Sequence, residues 1–178
     1  WKLLLVNWEI SKRVIAAFIP TGIIGFILYK TIKSLFGSSQ VVLWMLFVGG
    51  IFIIVFEYFY REPKNATEKL SDISYKNAVI IGIFQSLAVI PGVSRAAATI
   101  IGGLTLGLKR KTVVEFSFLL AVPTMLAAAG LDLIKNAQVF SLDQFGILVT
   151  GFLTAFFVAL LSIKFLLHFI QRNNFMPF

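Results

Sequence analysis

The stretch LAVIPGVSRAAATIIGG, residues 87–103, decides how this chain is read. An apolar run is broken by Pro91-Gly92, and the break is followed at once by Ser94 and the positive charge of Arg95. Around it lie 178 residues that are 58% hydrophobic and only 13% charged, with a mean hydropathy of +0.92. Soluble domains carry about 25% charged residues, so this composition belongs to an integral membrane protein. The chain has no cysteine, which excludes disulfides, thiolate metal sites and a cysteine nucleophile. A net charge of +8 in so apolar a chain suits basic residues flanking membrane spans, not a nucleic-acid surface.

Crossing a bilayer takes about 20 mostly apolar helical residues. Four segments approach that length: Val14 to Tyr29, Val41 to Tyr60, Thr112 to Ile134 and Phe145 to Ile163. Lys30 and Lys33 at the end of the first can snorkel to the interface, and Pro20, Gly22 and Gly25 predict a kink within it. Between the second and third spans lie Asn77 to Pro91 and Ala96 to Leu108. Each covers about 20 Å as a helix, too short to cross alone. The pattern predicts a re-entrant hairpin over 77–108 that turns at Pro91-Gly92-Val93-Ser94 and leaves by the side it entered. One broken helix over 77–108 is the alternative, and it is too long without a large tilt. With the hairpin, Lys2, Lys12, Arg13, Arg61, Lys64, Lys69, Lys76, Lys109, Arg110, Lys111, Lys164 and Arg172 share one side, while Lys30, Lys33 and Lys135 hold the other. The first side is then cytoplasmic. The expected fold class is all-α and polytopic, a single membrane domain over 1–178.

Irregular backbone at membrane depth survives only where protein buries it or where it lines a cavity. Gly92 permits the turn, and Ser94 is a good N-cap for the helix that follows. The first N–H groups of that helix, on Arg95, Ala96 and Ala97, then form an anion-binding end, and Arg95 can clamp a phosphate. Thr99 lies one turn on from Arg95, on the same face, and Gln85 is a polar residue on the incoming arm. Gly92, Gln85, Ser94, Arg95 and Thr99 are the candidate site residues, and no metal ligand is assigned. Plainer readings stand beside these: Ser94 as a cap alone, Arg95 paired with Glu115, and Gly102-Gly103 as a packing surface. His168, Glu57 and Glu115 read as span-end residues.

The run FQSLAVIPGVSRAAATIIGGLTLGLKRKTVVEFSFLLAVPTMLAAAGLDL, Phe84 to Leu133, resembles the bacterial undecaprenyl-pyrophosphate phosphatases, the bacitracin-resistance phosphatase family. The resemblance extends through IPTGIIGFILYKTIKSLF upstream and GFLTAFFVALLSIKFLLHFI downstream. It implies an enzyme of the bacterial inner membrane that converts a C55 polyprenyl pyrophosphate to the monophosphate, recycling the carrier lipid for peptidoglycan synthesis. It also implies two inverted repeats, each with a re-entrant hairpin, of which this chain holds one. By the family motif Ser94 is the nucleophile, Arg95 the phosphate clamp and Thr99 a supporting ligand, with a divalent cation such as magnesium as cofactor. The site of such enzymes is taken to open to the outer face. The implied partners are the lipid substrate and the membrane, with self-association left open.

Two departures bear on activity. Ala96-Ala97 stand where the family commonly has Ser-Gly, and the glutamate-rich and Ser-Ser-Thr-Gly-His motifs of its N-terminal repeat do not occur here. The final span of the family is not seen after Phe178 either. A transporter or flippase for a phosphorylated lipid is the competing class, since broken helices also bind substrate anions in secondary transporters. Because phosphoryl transfer needs a base or a metal besides charge neutralisation, the 178-residue chain by itself is expected to have little or no phosphatase activity. A malachite-green assay on detergent-solubilised polyprenyl pyrophosphate checks this. Release of phosphate by the chain, abolished in Ser94→Ala, would overturn the expectation.

Overall fold

The computed structural model describes residues 7–28, 34–35, 37–135, 145–170 and 175–177. Lys2, Lys30, Lys33, Arg172 and the predicted span end Tyr29 lie outside the described residues. Among the described residues, six helices of ten residues or more follow one another: α1 Trp8–Ile27, α2 Ser39–Phe59, α3 Tyr75–Ser86, α4 Arg95–Thr105, α5 Arg110–Lys135 and α6 Phe145–Phe169. Single 3-10 turns occupy Leu70–Asp72 and Leu87–Val89. Helices α1, α2, α5 and α6 are long and apolar enough to cross a membrane, and they coincide with the four predicted spans to within two residues, except that α1 starts six residues earlier and α6 ends six residues later. The chain is all-helical among the described residues and is a multi-pass membrane protein.

Serine starts three of these helices. Ser38, Ser74 and Ser94 each accept a hydrogen bond on Oγ from the backbone N–H three residues on, at Val41, Asn77 and Ala97. This satisfies one of the donors that a helix start leaves free. The end of α4 is closed by Gly107, whose φ of +78 only glycine adopts at little cost. Leu108 N–H donates to Gly103 O and Gly107 N–H to Leu104 O, the paired bonds of a Schellman cap.

That cap carries the chain back to where the helical pair began. Thr67, just before α3, donates its N–H to Gly107 O and accepts from Lys109 N–H, both at 2.9 Å. Glu68 pairs with Lys109 and its carbonyl accepts from the Thr112 hydroxyl. The hydrogen bond from the Lys109 ammonium holds the exposed Glu68 carboxyl below its usual range, and Glu68 raises Lys109 in return. The segments entering α3 and leaving α4 are therefore stitched together, and α3 and α4 form a hairpin. The starts of α1 and α5 join the same end: Arg13 Nε donates to Ile73 O at 2.6 Å, and Arg110 N–H to Glu62 at 3.1 Å. This end gathers Lys12, Arg13, Arg61, Lys64, Lys69, Lys76 and Lys109 to Lys111, the residues of the predicted basic side that fall among the described residues of these segments.

The core lies between α1, the hairpin and the first half of α5. Ile10, Val14, Ala17 and Thr21 form the buried stripe of α1, spaced by three and four residues so that one face meets α3. Ala78, Ile81, Gly82 and Gln85 answer from α3, and Val113, Phe116, Ser117 and Leu120 from α5. Glycine sets the closest approaches. A Cβ at Gly82 would stand 1.9 Å from Ala17 O, one at Gly102 would meet Phe84 at 2.7 Å, and one at Gly103 would meet Val113 Cγ2 at 2.0 Å. The packing reading of Gly102-Gly103 is the one the structure realises. By contrast α2 buries only Glu57, and α6 has no buried residue.

Backbone cannot yield to a methyl group at Gly82 without moving α1 off α3. Gly82→Ala is expected to lower unfolding stability in detergent by about 3 kcal/mol, the upper part of the usual overpacking range. Gly49→Ala, where a Cβ meets nothing within 4 Å, is expected to leave it unchanged. Thermal unfolding of the two variants beside the parent checks both.

Candidate functional site

The hairpin tip is built by a tight turn. Val93 N–H donates to Ile90 O at 3.1 Å, with Pro91 and Gly92 at the two central positions and Gly92 at φ +93. Proline then positive-φ glycine is the order a type II turn requires. A side chain at Gly92 would strike Val42 O at 2.6 Å and Met45 Cβ at 2.9 Å, so the tip rests directly on α2. Helix α3 has 12 residues, a rise of about 18 Å, whereas α5 with 26 rises about 39 Å. The hairpin thus ends near the middle of the longer helix.

At this tip the chain starts α4 with Ser94 as N-cap and Arg95 as its first residue. Ser94 is exposed and its Oγ accepts from Ala97 N–H at 3.2 Å, leaving its own proton uncommitted to that bond. The cap therefore removes Ala97 from the three N–H groups expected to face a ligand. Those of Arg95 and Ala96 have no partner among the described residues. Arg95 makes no ion pair among the described residues, and its Nη1 is buried without a hydrogen-bond acceptor. It is not paired with Glu115, the plainer reading of its charge. A guanidinium nitrogen kept from water without an acceptor is costly, and an arriving anion would supply what is missing.

The other candidates are placed differently. Thr99 is fully buried, and its hydroxyl donates to Arg95 O at 2.7 Å. Its single proton holds the first turn of α4 and is not offered to a ligand. Gln85 is 1% exposed and sits on the opposite arm, where its Nε2 donates to Thr21 Oγ1 at 3.2 Å and to Thr124 Oγ1 at 3.0 Å. Both amide hydrogens are so engaged, which leaves Gln85 no donor for a phosphate; the expectation of a direct phosphate contact gives way to a bond between helices. The structure thus brings Gly92, Ser94 and Arg95 together at the tip and sets Thr99 and Gln85 behind it. His168 is exposed in the last turn of α6, as a span-end residue should be.

Ser94 also lines a cavity of about 440 Å³ that runs between α2 and α4. Gly49, Gly50 and Ile53 form one wall, and Ala97, Ile101 and Leu104 the other. Its lining is almost wholly apolar, and Arg95 is not part of it. Glu57 closes the far end, where sequence reading sees only a span-end carboxylate. Its side chain is 3% exposed and bound at both oxygens by the Arg110 guanidinium, one contact measuring 3.0 Å between Nη2 and Oε2. Phe175 adds its backbone N–H to Oε1 at 3.3 Å and its ring beneath the guanidinium at 5.2 Å. Among the described residues no three His, Cys, Asp or Glu side chains gather to hold a metal, and Glu57 is committed to Arg110. These residues do not furnish a divalent-cation site.

Four long apolar helices around a pair of short ones define a multi-pass membrane protein. The comparison with known proteins gives the lineage. The family model described as bacitracin resistance protein BacA matches residues 5–178, and the chain belongs to that family. Proteins named undecaprenyl-diphosphatase from Persephonella marina, Sulfurihydrogenibium sp. and Aquifex aeolicus are 54%, 49% and 49% identical to it. The alignments cover 96%, 97% and 96% of this chain and 66%, 68% and 67% of those relatives. The chain spans about two thirds of the length of the curated relatives it matches.

The partners missed by sequence reading are Thr21 and Thr124. Each follows a proline inside a span, as Pro20-Thr21 and Pro123-Thr124, and that repeated dipeptide is the signal that could have found them. For the ion pair, truncation of one side leaves the other buried without compensation. Arg110→Ala is expected to destabilise the protein by about 3–5 kcal/mol, read as a lowered unfolding midpoint in detergent.

Proposed function

We propose that the full-length protein hydrolyses undecaprenyl pyrophosphate, or a closely similar polyprenyl pyrophosphate, to the monophosphate and inorganic phosphate, and that the α3–α4 tip binds the phosphate removed. The observation that carries this reading is the Arg95 guanidinium nitrogen, buried without a partner among the described residues, on the residue that opens α4, where the Arg95 and Ala96 N–H groups have no partner among the described residues either. The relatives named undecaprenyl-diphosphatase supply the substrate class.

The chemistry follows from those groups. Arg95 and the Arg95 and Ala96 N–H groups neutralise charge on the terminal phosphate as it transfers. Ser94 Oγ attacks the terminal phosphorus, the bridging P–O bond breaks, and the polyprenyl monophosphate leaves. Water then cleaves the phosphoserine to regenerate Ser94 and release phosphate. The proton of Ser94 passes to a base outside the described residues, and a divalent cation such as magnesium would take its ligands there too. The apolar cavity beginning at Ser94 accommodates the first prenyl units. In this reading the hairpin is re-entrant in a bacterial inner membrane, with the basic end of the bundle in the cytoplasm.

In nanodiscs, Ser94→Ala and Arg95→Ala in the full-length protein are each expected to reduce phosphate release from a C55 pyrophosphate by about 100-fold or more, the scale of a lost transition-state donor. Full activity in Arg95→Ala would remove the clamp; full activity in Ser94→Ala would remove the nucleophile and leave direct attack by water.

A further inference from the structure

Gln85 stands where three helices meet at the depth of the tip. Thr21 is 13 residues into α1 and Thr124 is 14 residues into α5, so both lie about 20 Å from the end of the bundle that holds the hairpin's base. Gln85 closes α3 at that same depth, one residue before its end at Ser86.

The hydrogen bonds leave the amide only one orientation. Thr21 Oγ1 donates its proton to Gly82 O at 2.8 Å, and Thr124 Oγ1 donates to Leu120 O at 2.7 Å. Both hydroxyls are therefore acceptors toward Gln85, and a flipped amide would set its oxygen against two oxygens. With Nε2 fixed by these two contacts, Oε1 is buried without a partner. Apart from Arg95 Nη1 it is the one such side-chain atom among the described residues. A buried acceptor left unmatched is unfavourable, and a methionine of similar length would pack there without that cost. The amide is thus not explained by stability.

Position explains it. Toward the tip, the hydroxyls at the start of α4 bond only within that turn: Ser94 Oγ accepts from Ala97 N–H, and Thr99 donates to Arg95 O. Ties to the rest of the bundle sit at the base, through Tyr60 to Leu104 O and through the Thr67 backbone bonds. Near the tip, the described hydrogen bonds from hairpin to spans all pass through the Gln85, Thr21 and Gly82 cluster and its arm to Thr124.

We propose that Gln85 is a positioning residue: by bridging Thr21 of α1 and Thr124 of α5, it sets the depth and angle at which the Ser94-Arg95 tip is held. Its catalytic consequence rests on the phosphatase reading above; the geometric one does not. Two measurements keep these apart.

The first is kinetic, on full-length protein in nanodiscs. Gln85→Met is expected to keep or raise the unfolding temperature while kcat falls on the order of 10- to 100-fold with little change in KM, the effect of a displaced reacting group. Thr124→Val, which removes one acceptor, is expected to lower kcat in the same direction and to add nothing when combined with Gln85→Met. Loss of stability with wild-type kcat in the folded fraction, or fully additive effects, would overturn the proposal. The second is a distance. With other cysteines removed, spin labels at Ile19→Cys on α1 and Ala96→Cys at the tip are expected to give one narrow distribution with Gln85 and a broad or shifted one with Gln85→Met. An unchanged distribution overturns the proposal whatever the activity. If the wild-type protein releases no phosphate, the functional reading fails, and the spin-label result alone decides the positioning role.

Discussion

A helix interrupted inside an apolar bundle frees backbone groups that neither lipid nor apolar side chains can satisfy, and each unsatisfied group costs several kcal/mol. The turn from Ile90 to Val93 meets that constraint partly by itself, through its internal hydrogen bond and the Ser94 cap. The rest is met by enclosure. Gly92 rests against Val42 and Met45 of α2, and Gly82 admits the Ala17 carbonyl of α1 to the surface of α3. The arms are short, α3 of 12 residues and α4 of 11, and they return the chain to the base that Thr67, Gly107 and Lys109 stitch together.

From this follows the division of labour within the hairpin. The base is held by charge and backbone bonds: Arg13 to Ile73, Lys109 to Glu68, and the bidentate Arg110–Glu57 pair that joins the end of α2 to the start of α5. Exposed pairs such as Lys109–Glu68 contribute little to stability, whereas the enclosed Glu57 carboxylate depends on its arginine. The tip has no such ties. There, among the described residues, Arg95 makes no ion pair and its Nη1 is buried without an acceptor. The cavity that Ser94 lines between α2 and α4 is almost wholly apolar, and Arg95 stands outside it.

Much of this was legible from residue order. The four spans follow from runs of apolar residues, the two short arms from the length a bilayer demands, and the tip from Pro91-Gly92 followed by a capping serine. The role of Gln85 was not legible: one polar residue in an apolar arm looks the same whether it faces a ligand or two threonines. Glu57 likewise looks like a span-end carboxylate until Arg110, 53 residues later, is folded against it.

By itself, then, the sequence determined what depends on neighbours along the chain: helix starts and stops, which segments are apolar enough for lipid, and where the backbone must turn. Family membership is also carried in residue order, since it rests on matched positions along the chain. Only the tertiary structure decided which polar groups are already satisfied. It committed both amide hydrogens of Gln85 and the hydroxyl of Thr99 inside the protein, and left Arg95 Nη1 without an acceptor. The reason is physical: hydrogen bonds are short and directional, so whether a buried donor has a partner depends on ångström-scale proximity between distant segments, which residue order does not encode locally.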